Sequence, residues 1–181
     1  MPIQARVAGP GPFRIIRGMG ALDEIAAARG RVSNLWRELA ADEGFLRAAF
    51  ALYRAALHDP AGLPRRDREL LCLATSAANR CAYCVAHHRR HLEAAGLAPR
   101  QVDAVAAGQD LGDPRLDALL ALARDLAAEP GGAGVNHRAR LAALGLGALE
   151  VQQAIQVCAT YALFNRLVLA LGVALEPEFQ P

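Results

Sequence analysis

Cys81, Cys84 and His88 stand three and four residues apart. On a helix of about 3.6 residues per turn, positions three, four and seven apart share one face. Two sulfurs and an imidazole therefore meet if the segment is helical. The three lie in Arg68–Gly96, RELLCLATSAANRCAYCVAHHRRHLEAAG, which holds three of the four cysteines and three of the five histidines. Glu69 lies twelve residues before Cys81.

The flanking pattern predicts helices to hold this cluster. Leu70, Leu71, Leu73 and Ala74 give an apolar side to a helix from Arg65 to about Ala78, and Asn79 is placed to cap the next helix, which ends at Gly96 with Pro99 beyond. Leu22–Arg29, a segment capped by Ser33 or Asn34, and FLRAAFALYRAALH after a break at Gly44 supply earlier helices. Gln101–Ala107, Leu116–Ala128 and Leu149 to about Leu171 supply later ones, with PGGAG as a loop and Arg138–Leu144 as a turn or short helix. The expectation is an all-α chain of seven or eight helices. It comprises an irregular arm over 1–20, one domain over 21–176 and a polar tail over 177–181. Ala74, Thr75, Asn79 and Arg80 are echoed by Ala159, Thr160, Asn165 and Arg166, which suggests an internal two-helix repeat.

Composition narrows the function classes. Ala and Leu abound while aromatics are 5%, and 181 residues suffice for one core. Net charge is +2 with arginines scattered among acids, and the clustered basic and aromatic residues of a nucleic-acid surface are missing. The N-terminal stretch shows no signal-peptide core, and the apolar runs near the C-terminus fall short of the ~20 residues of a membrane span. A cytoplasmic protein without a membrane partner is expected. In a reducing compartment a C-x-x-C pair points to redox chemistry or metal rather than a structural disulfide.

The cluster supports a dithiol–disulfide cycle. Cys81, near a helix start, gains from unpaired amides and the helix dipole, and Cys84 has His88 one turn on to take its proton; either effect lowers a thiol pKa from ~8.5. Glu69, on an apolar-flanked helix, is expected to be partly buried, with a raised pKa suited to moving protons through water or His88.

On Glu69, Asn79-Arg80-Cys81-Ala82-Tyr83-Cys84, His88, Gly96 and Phe164-Asn165-Arg166 the chain resembles the alkylhydroperoxidase D-like branch of the carboxymuconolactone decarboxylase family. The resemblance implies an all-α alkylhydroperoxidase D-like domain associating into dimers, trimers or hexamers. It implies a peroxidase needing no cofactor: Cys84 attacks a hydroperoxide, Cys81 resolves the sulfenic acid to a disulfide, and His88 and Glu69 relay protons. An external dithiol, such as a dihydrolipoyl group, would recycle it. Tyr83 stands where the best-studied members carry a histidine, which removes one relay member. Asn165 and Arg166 are candidates to close over the site.

Rival readings are a non-catalytic redox sensor or interaction module, and a metal site of Cys81, Cys84, His88 and either His87 or His91. Four ligands from one helix surround a tetrahedral ion poorly, and Val85 in place of histidine removes a c-type haem site. Cys72 and Cys158 read as small buried hydrophobes, and His58 and His137 as turn residues without evident partners.

Overall fold

The computed structural model describes residues 19–179. Most of the expected N-terminal arm, and residues 180–181, lie outside them. Nine α-helices account for most of the described chain: α1 Ala21–Arg29, α2 Asn34–Glu38, α3 Glu43–His58, α4 Arg65–Ala78, α5 Ala82–Ala94, α6 Pro99–Ala106, α7 Pro114–Ala128, α8 Pro130–Ala143 and α9 Ala148–Leu171. Two 3-10 turns, Leu39–Ala41 and Pro177–Phe179, are added, and no strand occurs among the described residues.

The count exceeds the expected seven or eight for local reasons. PGGAG is the start of α8, because Pro130 occupies the first helical position, where its missing N–H costs nothing. Gly44 does not break the path; it sits in the first turn of α3, which Asp42 caps by accepting from the Phe45 amide at 2.9 Å. The suggested two-helix repeat is not reproduced. Its first copy straddles the end of α4, whereas its second lies wholly inside α9.

Helix α4 is the hub. Residues 67–76 are all buried, and the helix packs on α3, α5, α6, α7 and α9. Three consecutive charged residues enter this interior, each answered by a specific partner. Asp67 accepts from Arg115 at 2.6 Å. Arg68 donates to the carbonyls of Leu63 (2.7 Å), Ala56 (2.9 Å) and Ala61 (2.7 Å) and to Gln153 Oε1 (3.1 Å), so it ties the α3–α4 loop to α9. Glu69 belongs to the candidate site. Gly62 is demanded by the same knot: its φ is +72°, and a Cβ there would fall 2.2 Å from Gln153 Oε1.

Helix α9, Ala148–Leu171, has the bounds expected to within one residue. By length and composition it could cross a membrane, yet Val151, Ala154, Val157, Phe164 and Val168 are buried inside the protein. An edge-to-face aromatic group joins it to α2 and α3. Trp36 meets Phe50, Tyr53 and Phe164 at centroid distances of 5.4, 5.6 and 5.7 Å. This group forms one wall of the cavity described next.

Candidate active site

The turn from α4 to α5 sets the position of both sulfurs. The Arg80 amide donates to Ala77 O at 3.0 Å and the Cys81 amide to Ser76 O at 2.9 Å, the paired bonds of a Schellman ending. Arg80 therefore takes the left-handed position, φ +56°, which usually falls to glycine. Asn79 does not cap α5 as expected. It ends α4, its side chain donates to Asn165 Oδ1 at 2.9 Å, and Cys81 itself is the residue from which α5 departs.

Cys81 is fully enclosed, whereas Cys84 lines a cavity of about 50 Å³. Glu69, Tyr83, His87, His88 and His91 share that cavity, closed on other sides by Trp36, Tyr161 and Phe164. The two thiols differ in character. Cys81 is pulled down to about 7, first by the adjacent Cys84 thiol, against burial, with the Cys84 amide and Asn165 side chain assisting. Cys84 is pushed upward by the Cys81 sulfur and then by burial, so the shared proton rests on Cys84. The neighbouring sulfur is the largest influence on each thiol. Asn165 lies buried beneath both cysteines, its Nδ2 donating to Ser76 Oγ at 3.0 Å. It does not close over the site, and neither does Arg166, an exposed residue that donates to Ala162 O in its own helix.

Glu69 and His88 come together as the spacing suggested, at 2.6 Å between Oε2 and Nδ1. Arg65 Nε donates to the other carboxylate oxygen at 2.8 Å, with Nη2 alongside. Burial raises the Glu69 pKa, but the imidazole and guanidinium outweigh it and bring it to about 2. The expected raised pKa is therefore corrected: at neutral pH Glu69 is a fixed anion and no proton carrier. Because it is ionised, the shared proton must sit on Nδ1, leaving Nε2 of His88 as the atom that exchanges protons.

A second carboxylate–imidazole pair escaped the sequence reading. Glu176, assigned to the last residue of the domain with no role, is buried among three donors. Oε1 accepts from the Asn34 amide and the Tyr83 hydroxyl, both at 2.8 Å, and Oε2 lies 2.8 Å from His87 Nε2. Burial alone would raise the Glu176 pKa, yet these donors lower it; burial lowers that of His87. The His87 ring is sandwiched between Tyr83 and Phe179, with centroid distances of 4.6 and 4.4 Å. So the tail is no loose end; its only advance signal was an acid and an aromatic just beyond the stop of α9 at Gly172.

Other side chains also differ from expectation. His58 has partners after all, with Tyr53 Oη at 3.2 Å and Arg65 Nη1 at 3.0 Å, and His137 pairs with Asp125 at 2.7 Å. Cys72 and Cys158 are buried with thiol pKa values pushed up by burial, Cys158 to about 12, as befits inert core thiols. Glu69, Cys72 and His88 place possible ligand atoms within 4.8 Å of one another, but the Arg65 guanidinium on Glu69 opposes a cation there.

The profile of the carboxymuconolactone decarboxylase family matches residues 43–125, which span α3 to most of α7 and include both cysteines. A solved structure from Ralstonia eutropha JMP134, described as an alkylhydroperoxidase AhpD core and uncharacterized peroxidase-related protein, superposes with a TM-score of 0.79 at 28% identity, over 87% of this chain and 84% of that one. The chain therefore carries the carboxymuconolactone decarboxylase family match over residues 43–125 and resembles AhpD-like proteins along most of its length. Further likeness is to an uncharacterized peroxidase-related protein from Silicibacter sp. TM1040, with TM-score 0.79, 19% identity and coverage of 87% and 84%. The debrominase Bmp8, in complex with 2,3,4-tribromopyrrole, has TM-score 0.73, 16% identity and coverage of 88% and 85%. At these identities both show the AhpD-like fold alone. No curated relative matches the sequence. The same fold is found in a protein described as a debrominase, so the assignment of a reaction rests on the site.

Proposed function

We propose that this AhpD-like protein is a thiol-dependent hydroperoxidase that works through a Cys81/Cys84 dithiol–disulfide cycle. The observation that carries the reading is the inequality of the two sulfurs. Cys84 lines the cavity beside His88, while Cys81 lies enclosed directly behind it. Access selects Cys84 as the attacking sulfur, although Cys81 is the more acidic thiol. Attack then requires the Cys84 proton to move, to Cys81 or to Nε2 of His88, which Glu69 holds in the accepting tautomer.

The thiolate attacks the terminal peroxide oxygen. The S–O bond forms, the O–O bond breaks, the sulfur becomes a sulfenic acid and an alkoxide or hydroxide leaves to be protonated. Cys81 attacks that sulfur, closes the disulfide and expels hydroxide, which leaves as water. An external dithiol, a dihydrolipoyl group by the resemblance, restores both thiols. The cavity of about 50 Å³ compares with the roughly 10–15 Å³ that one water requires, so hydrogen peroxide or a small alkyl hydroperoxide is the substrate class. A homo-oligomer would cover exposed apolar residues such as Leu52, Leu163 and Leu169.

Stopped-flow oxidation of the reduced protein by hydrogen peroxide and by cumene hydroperoxide, followed by recycling with dihydrolipoamide, tests this. Stoichiometric Cys81–Cys84 disulfide, turnover with the dithiol and loss of both in Cys84→Ser are expected, with the smaller peroxide faster. Unchanged oxidation in Cys84→Ser would overturn the assignment of the nucleophile. One round of oxidation without dithiol turnover would instead support the redox-sensor reading.

A further inference from the structure

The second carboxylate–imidazole pair is built with more constraint than the anchoring of a chain end requires. Glu176 receives its three donors from the start of α2 and from two residues of α5. His87, once bonded through Nε2, has a single ring nitrogen left for exchange, Nδ1, and the residue lines the same cavity as Cys84. Its ring lies between Tyr83 and Phe179, and Phe179 is in turn covered by the guanidinium groups of Arg31 (5.5 Å) and Arg90 (5.1 Å). Arg31 also donates to Glu178 at 2.5 Å, which closes the segment over the imidazole.

We infer that His87 is a second proton-transfer residue of the Cys84 cavity, and that it delivers a proton to the oxygen leaving the peroxide when the sulfur attacks. Glu176 and Tyr83 act as its positioning residues. The inference rests on the hydroperoxidase reading of the site. The Cys84 thiol proton goes to His88 and on through cavity water to Nδ1 of neutral His87, the thiolate takes the terminal oxygen, and the departing RO⁻ takes that Nδ1 proton to leave as ROH. Both imidazoles end neutral, so the net change is thiol plus hydroperoxide to sulfenic acid plus alcohol. Glu176 provides the counter-charge while His87 is cationic, and burial, which weakens the imidazole as a base, makes the cation a readier donor. The other groups facing His87 are Tyr83 and His88 on its own helix and Arg31 from the α1–α2 connection.

The test exploits leaving groups that differ in their need for a proton. Hydrogen peroxide releases hydroxide, whereas peracetic acid releases acetate, a weak base that departs unprotonated. In His87→Gln, Cys84 oxidation by hydrogen peroxide is expected to slow about 100-fold while oxidation by peracetic acid stays within about twofold. Glu176→Gln, which keeps a hydrogen-bonding side chain in place, should show the same selectivity at about tenfold. Thermal melts of both variants check folding. Equal slowing with both oxidants would make His87 merely structural and overturn the inference, as would unchanged rates with both. If the wild-type protein reacts with neither oxidant, the hydroperoxidase reading fails and this inference with it. If wild type reacts and His87→Gln reacts equally well, only the inference fails.

Discussion

His87 and His88 are neighbours in the chain, yet each leans on a carboxylate from a different end of the fold, and the two carboxylates are kept ionised by different means. Glu69 faces a guanidinium and an imidazole, so opposite charge holds it down. Glu176 faces one amide, one hydroxyl and one imidazole, so the number of donors does the same work. The first arrangement is strong but brittle, since removing the anion leaves the half-buried Arg65 guanidinium and the buried His88 ring without their charged partner. The second tolerates a neutral acceptor in its place.

Glu69→Gln breaks this comparison most severely. It leaves Arg65 without its anion and His88 without a charged partner, so a loss of about 3–5 kcal/mol is expected in urea unfolding. A loss under about 1 kcal/mol would mean that the pair is not the brittle one. The pH dependence follows in size. Glu69 has a folded pKa of about 2 against 4.5, so its contribution is fully present above about 4.5 and is lost as pH falls from 4.5 toward 2. That window should hold on the order of 3 kcal/mol, and acid titration of stability should flatten there in Glu69→Gln. His58 and His91, both brought down to about 4 chiefly by burial, act at higher pH. Between 6.5 and 4 the unfolded chain binds protons that the folded one refuses, so stability falls on acidification, and His91→Gln should shrink that slope.

The softer pair should yield less. Glu176→Gln is expected to cost about 1–2 kcal/mol, because the amide oxygen can still accept from Asn34 and Tyr83. Tyr83→Phe removes one donor to Glu176 and one acceptor for the Leu35 amide, for about 1 kcal/mol, again by urea titration.

How well each pair could be read from sequence follows the same division. Glu69 and His88 lie on consecutive helices joined by a short turn, and helical periodicity alone puts His88 on the face of the two cysteines. Glu176 reaches His87 by a return of the chain after α9, and no periodic signal reports where a chain goes once a helix stops. The all-α plan, the central helix and the buried Cys72 and Cys158 were legible because each rests on apolar spacing. The start of α8 was not, because glycines after a helix-opening proline look like a loop until packing against α7 is counted. The order of the two thiol pKa values was also hidden. It depends on the hydrogen bond between the two sulfurs, whose direction the spacing of a C-x-x-C does not carry.

Arg80 sits where the matching turn after α5 places Gly96, at φ +87°. Left-handed backbone costs a residue with a Cβ roughly 1–2 kcal/mol, partly offset by the greater freedom that glycine loses on folding. Arg80→Gly should therefore raise stability by up to about 1 kcal/mol, read from the denaturation midpoint. Someone engineering a hardier form of this protein would find that gain one residue from Cys81. The same substitution would loosen the peptide from which α5 departs, so heat resistance and a well-aimed sulfur would have to be selected together.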